Sequence, residues 1–123
     1  MAAEPLPLRL PARSRLKLGH EFARVKVQGR RTVSGCLIAN WLELAAGASP
    51  RLGVITSKKV GNAVHRARAR RLLRETFRLH QHDLAQPVSL VLVARPSIAR
   101  KGLAAVERDF LAALRHARLL RTE

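Results

Sequence analysis

The stretch 51–78, RLGVITSKKVGNAVHRARARRLLRETFR, limits what this chain can become more than any other part of it. Its first residues, 51–57, mix Leu, Val and Ile in a short apolar run of strand character. Lys58 and Lys59 interrupt that run. Gly61 then lets the chain turn, and Asn62 is a good N-cap for a helix over 62–80. Nine of the 24 Lys and Arg residues lie in this stretch, against the single acid Glu75. Positive charge held on a strand, a turn and a helix calls for a shaped anionic partner, with a phosphate backbone first.

Set at about 100° per residue, the helix has two sides. His65, Ala69, Leu72, Leu73, Thr76, Phe77 and Leu79 fall on one; Arg70, Arg71, Arg74 and Arg78 fall on the other, with Arg66 and Arg68 near the borders. Arg70, Arg74 and Arg78 follow one another every four residues and form a ridge. Glu75 can hold Arg71 or Arg78 at helical spacing. This helix carries six arginines and no lysine. A guanidinium grips phosphate oxygens with two parallel hydrogen bonds, which an ammonium cannot do. A solvated helix face is the plainer alternative. The lysine pair and helix N-terminus just before the ridge favour an anion site, because free N–H groups and nearby ammonium groups attract negative charge.

The net charge of +16 fits this picture. Such an excess opposes folding by self-repulsion and points to nucleic acid first and a membrane surface second. Hydrophobic content of 47% supports one core, and the length suits one domain. A single cysteine, Cys36, excludes an internal disulfide and a cysteine zinc cluster; it is expected to be buried and reduced. No run reaches the roughly 18 apolar residues of a membrane span. Residues 1–14, with Pro5, Pro7 and Pro11, read as a flexible basic arm ahead of a domain over 15–123. The expected compartment is the cytoplasm.

Along the rest of the chain, Phe22 and Val25 mark the inner face of a helix over 19–28, ended by Gly29. Arg30 and Arg31 fall in the following turn. Residues 33–44, VSGCLIANWLEL, read as one strand, joined to 51–57 by the economical connection, a hairpin. The continuous apolar run 87–95 predicts a strand covered on both faces. A last helix over 102–120 carries Leu103, Val106, Phe110, Leu111 and Leu114 as its stripe. The order predicts an α/β sandwich of the α+β kind with one sheet.

The central motif resembles the signature of the bacterial ribonuclease P protein family. Ser57, Lys58, Lys59, Gly61, Asn62, Ala63, Val64, Arg66, Arg68, Arg70, Arg71, Arg74 and Glu75 match it. Arg15-Leu16-Lys17, Glu21-Phe22 and Gly29-Arg30-Arg31 extend the match over roughly 13–116. The resemblance implies an αβββαβα order, one mostly antiparallel sheet, and the basic helix in a left-handed βαβ crossover, against the usual right-handed rule. It also implies a non-catalytic subunit of an RNA enzyme that removes the 5′ leader of precursor tRNA, with Mg²⁺ held mainly by the RNA. By matching position, Lys58, Lys59, Asn62, Arg66, Arg68, Arg70, Arg71 and Arg74 would contact the catalytic RNA. Phe22, Lys26 and Asn40 would line a cleft for the leader. The motif asparagine is replaced by Ala67. Aromatics are replaced at Lys26 and Asn40, so charge and hydrogen bonds are expected to outweigh stacking.

Other chemistries fit less well. His80 and His82 do not face one way, and no carboxylate cluster is expected beside them. Glu107 and Asp109 read as helix-surface charges. The dispersed acids do not form a two-metal nuclease, and a helix-turn-helix is missing around the basic helix. A structural RNA-binding module, of the ribosomal-protein kind, is the remaining alternative.

Overall fold

The computed structural model describes residues 15–16 and 19–121; the basic arm expected over 1–14 lies outside them. The elements run α1 (Gly19–Gln28), β1 (Arg30–Ser34), β2 (Leu37–Glu43), β3 (Arg51–Ile55), α2 (Ala63–His80), β4 (Val88–Ala94) and α3 (Leu103–His116). One four-stranded sheet has the order β1-β2-β4-β3. β1 with β2 and β2 with β4 are antiparallel, whereas β3 with β4 is parallel.

Two expectations are corrected here. The run 33–44 is not one strand. Ser34 pairs with Leu37, so Gly35 and Cys36 form a two-residue hairpin loop, and Gly35 takes the positive φ of 52° that its first position favours. Arg30 and Arg31 therefore open β1 instead of sitting in a turn. The expected hairpin between 33–44 and 51–57 is also absent, because β4 lies between β2 and β3. The physical reason is burial. A central strand needs apolar residues on both faces, and Val88–Ala94 is buried at all but one position. β3 begins with Arg51 and carries Gly53, which suits an outer position. Its free edge receives the backbone N–H of Leu16, which donates to the Leu52 carbonyl at 2.8 Å.

Alternation along the strands separates two apolar layers. Leu37, Ala39, Trp41, Leu52, Leu90 and Leu92 join Leu73, Phe77, Phe110 and Leu114 of α2 and α3 in the larger core. Val91 packs on the opposite face with Leu16 and Val25, flanked by Phe22, Leu42 and Val93. The sheet is thus covered by α2 and α3 on one side and only partly by α1 on the other.

The hairpin loop is fastened from α3. The Cys36 N–H donates to Asp109 Oδ2 at 3.0 Å, and Lys101 Nζ donates to the same oxygen at 2.9 Å. Asp109 is therefore buried, correcting its reading as a surface charge. Burial raises the Asp109 pKa, but the Cys36 and Lys101 hydrogen bonds outweigh it and hold the carboxyl below its usual range. Cys36 is fully buried, as expected, and burial followed by the Asp109 carboxylate pushes its thiol up to about 12. It is a packing residue, not a nucleophile.

His80 also departs from expectation. Its Nδ1 lies 2.8 Å from Asp83 Oδ2 and its Nε2 2.8 Å from Glu107 Oε2. Folding brings α3 against the end of α2 and gathers carboxylates that are distant in sequence. His65, placed by the wheel on the apolar side, is exposed. Val64 beside it is 75% exposed as well, and the buried residues of α2 begin only at Ala69.

Candidate nucleic-acid interface

The lysine pair sits in a 3-10 turn, Lys58–Val60, started by Ser57, whose side chain accepts from the Lys59 N–H. Both lysines are exposed while Val60 is buried beneath them. Asn62 then caps α2, its Oδ1 accepting from the His65 N–H at 3.0 Å. That side chain is committed to starting the helix.

On α2 the arginines divide by role. Arg70, Arg71, Arg74 and Arg78 line a recess of about 450 Å³ with Arg15, Ala67 and Glu75. Arg70 Nη1 donates to Thr56 Oγ1 at 2.9 Å, which ties the ridge to the strand before it. Arg78 Nε donates to Glu75 Oε2 at 3.0 Å, and this pairing depresses the Glu75 carboxyl. Arg71 and Arg74 have no hydrogen bond or ion pair among the described residues. Burial, then the charges of Arg15 and Arg70, lower the Arg74 pKa. Burial is the larger cause and like charge adds to it; a phosphate beside Arg74 would oppose both. Arg68 is not on the ridge; its Nη2 donates to the Lys101 carbonyl at 2.7 Å and braces α2 against the approach to α3. Arg66 is half-buried and also outside the recess lining.

A second concavity, about 590 Å³, lies between α1 and the sheet. Phe22, Lys26 and Asn40 all line it, with Arg31 and an apolar floor including Ile38, Val91 and Val93. Phe22 is seated over Gly53. A Cβ built there would stand 2.4 Å and 2.6 Å from its ring atoms Cε1 and Cζ. Asn40 is only 8% exposed, so it offers a small polar edge in the floor. Arg51 anchors this side. Its Nη1 donates to Glu21 Oε1 at 2.8 Å and its Nη2 to the Arg15 carbonyl at 3.2 Å, joining α1, β3 and the incoming segment.

Sequence reasoning did not select Arg15, Arg31 or Arg78 as site residues. Arg78 was visible as the end of the ridge. Arg31 follows from strand alternation once β1 is known to start at Arg30, since Arg31 pairs with Asn40 and shares its face. Arg15 had no local signal; the pairing of its segment with Leu52 carries it to the recess.

The family model described as Ribonuclease P matches residues 10–118. The chain belongs to the ribonuclease P protein family. Curated members named ribonuclease P protein component include one from Syntrophomonas wolfei, 34% identical over 110 residues, covering 89% of this chain and 92% of the relative. Another, from Gluconacetobacter diazotrophicus, is 38% identical over 104 residues, covering 84% and 90%. The fold agrees with the solved ribonuclease P protein of Staphylococcus aureus, with a TM-score of 0.79 at 23% identity, covering 88% of this chain and 98% of that one. The ribonuclease P protein from Thermotoga maritima gives a TM-score of 0.72 at 22% identity, covering 83% and 96%.

Proposed function

We propose that this chain is the protein subunit of ribonuclease P, binding the catalytic RNA through the α2 recess and the 5′ leader of precursor tRNA in the α1 cleft. The observation that carries this reading is the separation of two unlike surfaces by one sheet. The recess is crowded with guanidinium groups and suits a folded phosphate backbone. The cleft has an aromatic wall, an apolar floor and cations at its rim, which suits a single strand with accessible base faces. A protein holding RNA on both sides can fix a leader relative to a catalytic RNA and so favour removal of the leader.

In this reading Lys58 and Lys59 extend the phosphate surface beyond the start of α2, and Arg66 adds charge at its flank. Arg68 acts through positioning, because its guanidinium is already engaged. Phe22 offers a ring for one leader base, Lys26 and Arg31 offer charge, and Asn40 offers a hydrogen-bonding edge. The reaction belongs to the RNA, where bound Mg²⁺ would activate water and neutralise developing charge. The carboxylates described here fit a Mg²⁺ site poorly. Glu21, Glu75 and Asp109 are each held by a cation, Arg51, Arg78 and Lys101 respectively. The proposed compartment is the cytoplasm, where precursor tRNA is processed in bacteria.

Reconstitution tests the proposal. Added to a bacterial ribonuclease P RNA at low Mg²⁺, the protein should stimulate cleavage of precursor tRNA. Absence of stimulation, with the protein folded, would reject the reading in favour of a purely structural RNA-binding module.

A further inference from the structure

A third concavity, of about 600 Å³, opens on the α3 side of the outer strand β1. Arg30, Arg31, Trp41, His116 and Arg118 line it, and no carboxylate does. Arg30 pairs with Trp41, so it projects to the α3 face; Arg31 pairs with Asn40, on the cleft face. Arg31 nevertheless lines both concavities. β1 is the last strand of the sheet, so a strand of RNA leaving the cleft can pass round its free edge.

The basic groups of this recess serve no evident purpose within the fold. The side chains of Arg30, Arg31, His116 and Arg118 make no hydrogen bond or ion pair among the described residues. Arg118 is also the only described non-glycine residue with positive φ, at 60°. It stands just past the end of α3, where its N–H donates to the Arg115 carbonyl at 3.1 Å and the Leu119 N–H donates to Leu114 at 2.9 Å. This closing pattern usually takes glycine at that position, because a Cβ crowds the backbone there. An arginine here takes the backbone cost of the left-handed position, and its guanidinium, unpartnered among the described residues, is left open to a ligand.

We propose that this recess binds backbone phosphates of the leader beyond the part held in the cleft. The inference rests on the cleft reading above and extends its path round the β1 edge. Guanidinium groups recognise the phosphates, so sequence matters little; the indole of Trp41 forms the floor and is too buried to stack fully.

The test uses the full chain assembled with ribonuclease P RNA and two precursor tRNAs, one with a leader ending within the cleft and one continuing past it. The variants are Arg30→Gln, Arg118→Gly and the pair. Glycine suits the left-handed position, so Arg118→Gly should fold at least as well as the parent. The pair should bind the long-leader substrate on the order of tenfold more weakly and the short-leader substrate equally well. Its salt dependence on the long leader should be shallower by about 1.4 in the log–log slope, at about 0.7 per lost phosphate contact on a single strand. Unchanged long-leader affinity would overturn the proposal. Equal losses on both leaders would also overturn it, by placing the recess on the catalytic RNA. Failure of the cleft reading itself looks different: Lys26→Ala would then leave short-leader affinity untouched.

Discussion

Replacing Gly53 with alanine should reveal how closely the fold and the leader cleft are joined. The new Cβ would stand 2.4 Å from Phe22 Cε1, 2.6 Å from Cζ and 3.3 Å from Leu16 Cδ1. The first two contacts are impossible, so the Phe22 ring must leave its seat. Overpacking of this kind costs about 1–3 kcal/mol. Alanine recovers roughly 0.5–1 kcal/mol of that, because it loses less backbone freedom than glycine in a strand. A net loss of up to about 2.5 kcal/mol is therefore expected. The displaced ring should also forfeit its stacking on a leader base, about 1–3 kcal/mol, or roughly 5–150-fold in leader affinity. In a Phe22→Ala background the two impossible contacts are gone and only the 3.3 Å approach to Leu16 remains, so Gly53→Ala should turn neutral or mildly stabilising. Urea unfolding can be followed by the fluorescence of Trp41, the single tryptophan, which is 6% exposed and lies on the opposite face of the sheet. Leader affinity can be read by anisotropy on the assembled enzyme. Equal destabilisation in both backgrounds would refute the seating of Phe22 on Gly53; unchanged leader affinity after Gly53→Ala would refute the ring's part in binding.

Three further outcomes are expected. Arg71→Glu, on an exposed side chain without partners, should leave unfolding unchanged and weaken binding to the catalytic RNA on the order of tenfold at low salt, with a shallower salt dependence; equal affinity in filter binding would move the interface elsewhere. His80→Gln should lower stability most at mildly acidic pH. Burial works against the imidazolium, but the Asp83 and Glu107 carboxylates outweigh it and raise its pKa. The stabilisation is thus full below about pH 6.5 and lost as pH rises through the raised folded value. Urea midpoints across pH should show a gap of about 0.5–1 kcal/mol closing toward alkaline pH; a gap of the opposite trend would contradict the pairing. Asp109→Asn should cost about 1–3 kcal/mol at neutral pH, since the Cys36 N–H and Lys101 lose a charged acceptor. The depressed carboxyl pKa makes that contribution full above about pH 3.9 and lost as pH falls through the folded value. A penalty that persisted below that value would rule out the charge as its source.

Residues close in sequence and governed by one period were legible without coordinates. Asn62 caps α2, the ridge of Arg70, Arg71, Arg74 and Arg78 shares one recess, and Phe22 and Val25 face inward from α1. Each follows from helical geometry and local capping chemistry. Boundaries inside apolar runs were harder. The 33–44 run hid a hairpin because Cys36, at its turn, is as apolar as its neighbours. Only Gly35 signalled the break.

By itself the sequence determined that this is a basic α/β chain with an arginine ridge on a core-anchored helix, and its long central motif identified the family. Those properties rest on composition and on interactions spanning a few residues. Tertiary structure alone decided that β4 enters between β2 and β3, that Arg15 joins the ridge, that Asp109 is buried beneath the hairpin, and that His80 meets two carboxylates. It also decided that Arg31 faces a cleft on one side of β1 and a second basic recess on the other. Each depends on which distant segments share buried surface, and that choice is made by packing of the whole sheet, not by any local period.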